Sequence, residues 1–318
     1  MRIGLSIGIA VCPTHGSDQA TLLANADVAL YRAKAEGRGA IRFFEADMAA
    51  QLRDRHQLQR DLQSAVANEE LRLEFQPLAR LNREIVGFEA LVRWRHPTRG
   101  QVLPGTFIPL AEESGLIVGM GEWILREAAR EAASWPNQLQ VSVNLSPLQV
   151  RNDDIVRLAH SILLDTGLAP ARLELEITEG VLIDDFSGAV SILRRLKSLG
   201  VRIALDDFGT GYSAMSYLHA FPFDTIKIDR TFVSNLKRSP QSKALLRGMI
   251  ELAHGLGLPV IAEGVETQGQ FDLLAQLGCD FVQGFLVGRP ASIDTYGQVV
   301  GRPVGLDPGE SRGNLAVV

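Results

Sequence analysis

Apolar positions along the chain keep one rhythm before residue 70 and another after it. Arg2 to Val11 is a β-rich apolar run, and Ser17 and Asp18 stand where they can cap a helix reaching Arg32 and Ala35, ended by the Gly37 and Gly39 signals. Ile41 to Phe44 then reads as a strand. A β-α-β piece of about 45 residues is near the size at which a domain stops stabilising itself, so it is expected to be part of something larger. Its first strand is an aggregation-prone edge unless paired. From Glu45 to Asn68, Met48, Leu52, Leu58, Leu62 and Val66 recur at spacings near three and four, which predicts a connecting helix.

After Glu70, strands alternate with helical segments, the pattern of βαβ units and a mostly parallel sheet. The strand candidates are Leu71 to Leu78, Ile85 to Trp94, Gln140 to Leu145, Arg172 to Thr178, Arg202 to Asp206, Thr225 to Ile228, Pro259 to Glu263 and Phe281 to Phe285. Eight strands with intervening helices predict an α/β fold of the (β/α)8, TIM-like class. Only Arg80 to Glu84 separates the first two, so they form a hairpin and the barrel is modified, with one antiparallel strand. The expected organisation is a partial α/β domain over 1–46, a linker helix over 47–57, the barrel over 58–298 and an irregular, disordered tail over 299–318.

Composition narrows the setting. Cys12 and Cys279 lie far apart with no CxxC pair, so neither a disulfide staple nor a structural zinc site is expected, and a reducing cytoplasm is the default. No stretch approaches the ~18 uninterrupted apolar residues of a membrane helix, and Met1 to Ala10 lacks a signal-peptide cleavage region. The net charge of −5 provides no global positive field, so DNA is not an expected partner and a phosphate-bearing ligand would need local positive charge.

The candidate chemistry comes from strands that break the apolar rule of parallel barrels. By the period of two, Leu173, Leu175 and Ile177 face one way while Glu174 and Glu176 face the other. The same parity sets Ser142 and Asn144 against Val141, Val143 and Leu145, Asp206 against Leu205, and Lys227 against Ile228. In a barrel such strand ends converge on one mouth, which gathers Glu89, Asn144, Glu176, Asp206, Asp207, Lys227, Glu263 and Gln283. A single acid at a strand end is often only a helix cap or an ion-pair partner, but six strands repeat the pattern. Five carboxylates in one mouth must protonate or be neutralised by cations, and oxygen donors without Cys or His select Mg²⁺ or Mn²⁺. Two ions about 4 Å apart would suit in-line attack on a phosphodiester, with Asp206 and Asp207 offering a bridge. Arg93 shares parity with Glu89 and Leu91 and can bind phosphate, and Gly209 and Gly211 suit a loop that approaches a ligand or moves.

FEALVRWRHP at 88–97, VNLSP at 143–147, LEITE at 175–179, DDFGTGYSAMSYL at 206–218, KIDRTFV at 227–233, AEGVET at 262–267 and QGFLVGRP at 283–290 together resemble the EAL family, which contains cyclic di-GMP phosphodiesterases. The resemblance implies a metal-dependent opening of cyclic di-GMP to linear pGpG. It implies that Glu89, Asn144, Glu176 and Asp206 hold one metal and that Asp206, Asp207 and Glu263 hold a second. It also implies that Lys227 positions the attacking water and Gln283 supports that site. Gln76, Leu91 and Arg93 would contact substrate, while Glu179 would tether the Asp207 to Ser213 loop, which in such proteins links dimerisation to metal binding. A cytoplasmic homodimer formed through the barrel follows, alone or as part of a longer membrane or sensor protein. Ala214 and Met215 depart from a common Ser-Leu, and Val287 from a frequent aromatic, without removing a ligand. LSIGIAV at 5–11 and ADVALYRAKAEGRG at 26–39 resemble the C-terminal end of a GGDEF domain, without the nucleotide-binding portion that cyclase activity requires. Two other readings remain at this point. One is a catalytically silent cyclic di-GMP receptor, and the other is a Mg²⁺-dependent barrel that abstracts a proton α to a carboxylate with Lys227 as base.

Overall fold

The computed structural model describes residues 4–35, 39–151, 154–181, 185–210, 221, 223–236 and 240–302. Arg2, Gly37, Gly211 to Met215, His219 and residues 303–318 therefore lie outside the described residues. The chain divides into two compact units, 1–68 and 69–318.

In the first unit, β1 (Ile7–Ile9) pairs in parallel with β2 (Ile41–Phe43), and α1 (Gln19–Ala35) connects them. The Asp18 carboxylate accepts the Thr21 amide at 2.9 Å and caps α1, as its position predicts. Gly8 is required by contact, because a Cβ there would stand 2.1 Å from the Ala26 carbonyl oxygen on α1. The predicted connecting helix is α2 (Ala46–Ala65), one continuous element that runs through the expected linker boundary at residue 57.

The second unit is a closed barrel. Its strands are β3 (Leu71–Arg80), β4 (Ile85–His96), β6 (Gln140–Leu145), β7 (Leu173–Thr178), β8 (Arg202–Phe208), β9 (Thr225–Ile228), β10 (Val260–Ala262) and β11 (Phe281–Gln283). Seven neighbour one another in parallel from β4 round to β11, and β3 closes the ring antiparallel to both β4 and β11. This is the expected modified barrel. A short strand, β5 (Gly100–Val102), pairs antiparallel to β4 outside the ring and was not anticipated, since three residues opened by a left-handed Gly100 carry no readable period.

Helices α3 (Pro104–Ser114), α4 (Ile117–Ala133), α5 (Pro147–Val150), α6 (Asp154–Thr166), α7 (Phe186–Ser198), α8 (Arg230–Ser234), α9 (Pro240–Gly255), α10 (Gln268–Gln276) and α11 (Gly297–Val300) accompany the strands. Their apolar stripes explain the covering: Ile155, Ala159 and Ile162 on α6 and Ala189, Leu193 and Leu196 on α7 are buried at helical spacing. Leu173, Leu175, Ile177, Ile203 and Leu205 are fully buried, which leaves the opposite parity to line the barrel interior. Gln283 ends the last strand two residues early because Gly284, at φ 156°, turns tightly against the Val265 backbone. The tail expected from residue 299 is corrected for its first residues. Val300 is fully buried and the Arg302 guanidinium donates to Glu131 and Ser134, so packing holds the chain through Arg302.

Arg172 ties helix to sheet. Its guanidinium, 8% exposed, donates to the Ala132 carbonyl in the last turn of α4 at 2.7 Å and to the Leu139 carbonyl before β6 at 2.9 Å. A cation there complements the negative end of the α4 dipole and links it to the chain entering β6. Arg172→Ala is expected to lower the unfolding free energy by roughly 2–3 kcal/mol, and Arg172→Lys to recover less than half of it because an ammonium cannot fork between the two carbonyls. Urea denaturation of the three proteins measures both.

Candidate active site

The mouth at the C-terminal ends of the parallel strands is organised around one ammonium group. Lys227 on β9 is 1% exposed, and its Nζ lies 2.7 Å from Glu176 Oε2, 2.7 Å from Glu263 Oε1, 3.4 Å from Glu89 Oε2 and 3.6 Å from Asp206 Oδ1. With all four acids ionised, four negative charges against one positive leave three uncompensated. Glu89 is fixed from both sides, since Asn144 Nδ2 donates to Oε1 at 2.6 Å and Gln283 Nε2 donates to Oε2 at 2.6 Å. The register aligns these elements: Asn144 lies opposite Glu176 on β7, and Thr178 opposite Asp206 on β8.

Strict alternation would send Asp206 and Asp207 to opposite faces. A β-bulge between Leu205 and Phe208 changes this, with Asp207 in the left-handed region at φ 54° and its amide donating to Asp206 Oδ1 at 2.9 Å. Both carboxylates thereby reach one place, and with Glu263 they offer oxygens all within 4.8 Å of one another. Glu263 stands one residue past β10, where its amide still donates to the Ile228 carbonyl before the left-handed Gly264 turns the chain away.

Glu179 Oε1 accepts the Gly209 amide at 2.9 Å, the start of the loop it was expected to hold; beyond Thr210 that loop lies outside the described residues. Gly209 has φ 95°, and a Cβ would collide with Met249 and Phe232. Gln76 lies opposite Glu89 in register and accepts from Gln283 Nε2 at 3.4 Å. Leu91 and Arg93 follow on the same face of β4. The Arg93 Nε donates to Glu74 Oε2 at 2.8 Å, an ion pair in which both side chains are largely shielded. Glu74 was missed in the sequence, although it shares the face of Gln76 by the period of two. Glu174, predicted to face inward, does so at the opposite mouth, where it accepts from Arg202 and Thr225.

Electrostatics follow the geometry. Burial and the Glu89 charge push the Glu176 carboxyl well above the usual carboxylate range, only partly offset by Lys227. Burial pushes Glu263 up to about 7, with Asp206 and Glu89 opposing the help from Lys227. Burial also raises Asp207, with Asp206 beside it. For Glu89, burial is outweighed by Lys227 and the two amide donors, and its carboxyl is held below the ordinary range. Burial would strip Lys227 of its proton, but four surrounding acids outweigh that and keep it an ammonium. A proton-abstracting enzyme with Lys227 as base needs the reverse.

The residues fit divalent cations. Glu176 Oε1 is buried without any hydrogen-bond partner, beside an acid group built only of oxygen donors. Such an orphaned acceptor is costly unless a cation completes it.

A carboxyl whose folded pKa lies above its unfolded value favours folding at low pH, and that advantage is lost as pH rises from about 4.5 to about 7 for Glu263. In chelator-treated protein the unfolding free energy is therefore expected to fall across this window, with a shallower fall in Glu263→Gln. Urea titrations at successive pH values measure the slopes, and equal slopes would contradict the assignment.

The EAL domain family matches residues 59–290. A signaling protein of Caulobacter vibrioides is 49% identical over 311 residues, covering 97% of this chain and 38% of that protein. The bifunctional diguanylate cyclase/cyclic di-GMP phosphodiesterase MucR of Pseudomonas aeruginosa is 42% identical over 295 residues, covering 91% of this chain and 43% of that protein. The chain thus spans less than half the length of these curated relatives. A solved structure of the PaMucR phosphodiesterase in complex with c-di-GMP superposes with a TM-score of 0.73 at 41% identity, covering 76% of this chain and 99% of that one. The closed barrel, the acids at its mouth and the match across residues 59–290 agree: the chain belongs to the EAL domain family.

Proposed function

We propose that this chain is a metal-dependent phosphodiesterase that hydrolyses cyclic di-GMP to linear pGpG. The observation that carries this reading is the Lys227-centred group of four carboxylates with the orphaned Glu176 Oε1, set at the mouth of an EAL barrel. The names of the relatives support the substrate.

Glu89, Asn144, Glu176 and Asp206 would hold one Mg²⁺ or Mn²⁺ ion, and Asp206, Asp207 and Glu263 a second. Bound there, the ions supply Lewis-acid polarisation of the phosphodiester and activation of water. In the reaction, water oxygen bonds to phosphorus, one P–O3′ bond breaks and a 3′-hydroxyl leaves. Lys227 keeps its proton and orients the attacking water by donating from Nζ. Asn144 and Gln283 hold Glu89 in a single orientation. Arg93, aimed by Glu74, keeps further N–H groups for a phosphate oxygen. Gln76 and Leu91 border the same strand pair and contact the nucleotide. Glu179 steadies the loop that follows Asp207.

In the same reading the functional unit is a cytoplasmic homodimer formed through the barrel. Among the described residues no helix is long and apolar enough to cross a membrane. We also read residues 1–46 as the C-terminal portion of a GGDEF-like domain, supported by similarity to the Caulobacter protein across 97% of the chain and by the cyclase name of the Pseudomonas relative.

The test is metal-dependent product analysis. pGpG is expected with Mg²⁺ or Mn²⁺ and none after chelation, and a folded, metal-loaded protein that releases no pGpG overturns the proposal. Glu89→Ala should lower turnover by more than the roughly ten- to hundredfold typical of outer-shell partners. Cys279→Ser should leave turnover within a few-fold, because the buried thiol donates only to the Val260 and Phe281 carbonyls and a hydroxyl can do the same.

A further inference from the structure

At the N-terminal ends of its parallel strands, opposite the acid group, the barrel interior opens into a cavity of about 450 Å³. None of its lining residues belongs to the acid group, although the strands are shared. Glu174 precedes Glu176 on β7 and Thr225 precedes Lys227 on β9, each by two residues and so on the same face. The wall falls into two arcs. Neighbouring strands β6, β7, β8 and β9 contribute the polar Gln140, Glu174, Arg202 and Thr225, whereas β10, β11, β3 and β4 contribute the apolar Ile261, Phe281, Leu78 and Ile85. The polar arc keeps unused bonding capacity. Glu174 is 3% exposed, and both donors that reach it, Arg202 Nε at 3.1 Å and the Thr225 hydroxyl at 2.9 Å, go to Oε2. Its Oε1 accepts no hydrogen bond among the described residues. Arg202, directly opposite Glu174 in register, commits Nε to Glu174 and Nη2 to Thr225 at 3.1 Å, which leaves Nη1 free among the described residues. A buried carboxylate oxygen and a guanidinium nitrogen thus stand on adjacent strands without partners, facing an apolar arc.

We propose that this base of the barrel is a second binding site, for a free α-amino acid with an apolar side chain. The ligand's ammonium donates to Glu174 Oε1, its carboxylate accepts from Arg202 Nη1, and its side chain lies against Ile261, Phe281, Leu78 and Ile85. Charge selects both poles together. A bare cation at Glu174 meets the Arg202 charge beside it, and a bare anion at Arg202 meets Glu174, so a ligand with one pole is partly repelled while a zwitterion is paired at each end. A buried acceptor that finds its donor also avoids the desolvation cost it otherwise carries. The apolar arc adds affinity in proportion to the side-chain area it covers. A cavity of this volume lies within the range of small-molecule pockets and holds leucine or phenylalanine together with ordered water. The site stands independently of the nucleotide reading, because no residue assigned to metal or cyclic di-GMP takes part in it.

The experiment titrates the full chain by calorimetry with L-leucine and L-phenylalanine. Their analogues with a single pole, isoamylamine and 4-methylvalerate for the first and phenethylamine and 3-phenylpropionate for the second, are titrated alongside. At least one of the two amino acids is expected to saturate a single site, about tenfold or more tighter than either of its analogues, the scale of one hydrogen bond to a charged group. Glu174→Gln should weaken that binding by a similar factor. Gln140→Phe fills the cavity from the polar arc without altering the Glu174–Arg202 pair, and it should abolish binding while the urea midpoint moves little. No saturation by either amino acid up to about 10 mM, or binding no tighter than that of an analogue, overturns the inference. Unchanged affinity in Glu174→Gln, or binding that persists in Gln140→Phe, overturns it equally and leaves Glu174 and Arg202 as a structural ion pair. If Glu174→Gln does not fold, Gln140→Phe and the analogues decide.

Discussion

A single buried ammonium shared by four carboxylates is the constraint on which the rest of the barrel turns. Lys227 stands where acids from four other strands converge, and without it they could not share one water-poor mouth. It does not neutralise them. Three charges remain uncompensated, and the site absorbs the excess by raising Glu176 and Glu263 and leaving one carboxylate oxygen unpaired. The arrangement is therefore unfavourable by itself and favourable to a divalent cation. Its stability comes from elsewhere, chiefly from the fully buried outer face of β7, β8 and β9 under their helices.

The division of labour between the two faces of each strand is what permits this. Leu173, Leu175 and Ile177 bury apolar surface on one side while Glu174 and Glu176 carry polar function on the other. Closure matters as much as alternation. Only a ring brings Glu89 of β4 and Gln283 of β11, far apart along the chain, to 2.6 Å, and β3 supplies the last link by pairing with both strands.

Much of this was legible beforehand because the functional residues lie on short strands with a clear period of two, and because they stand in contiguous strings. The antiparallel hairpin was legible from the brevity of Arg80 to Glu84. What was not legible depends on departures from the period or on partners distant in sequence. The bulge that turns Asp207 toward Asp206 requires a left-handed backbone that only the surrounding fold sustains. Glu74 escaped notice because its significance lies in Arg93, a contact that no local pattern announces. The three-residue β5 and the packed stretch through Arg302 are likewise fixed by what they touch, namely β4 and Glu131.

The reversed direction of β3 has a topological consequence. Leu71 lies opposite Trp94 and Ala79 opposite Ile85, so the polypeptide comes into the ring on the rim that carries the acids and reaches the far side only at the hairpin. In an all-parallel barrel the first strand would begin at the face away from the chemistry. Here Glu70 is clasped at the rim, its carbonyl by the Arg95 amide and its carboxylate by the Trp94 indole, and Arg72 and Glu74 follow within one turn of the pleat from Arg93. The strand that closes the ring therefore begins on the same rim as the acid cluster, with Glu70, Arg72 and Glu74 fixed beside Trp94 and Arg93 rather than at the far side of the barrel.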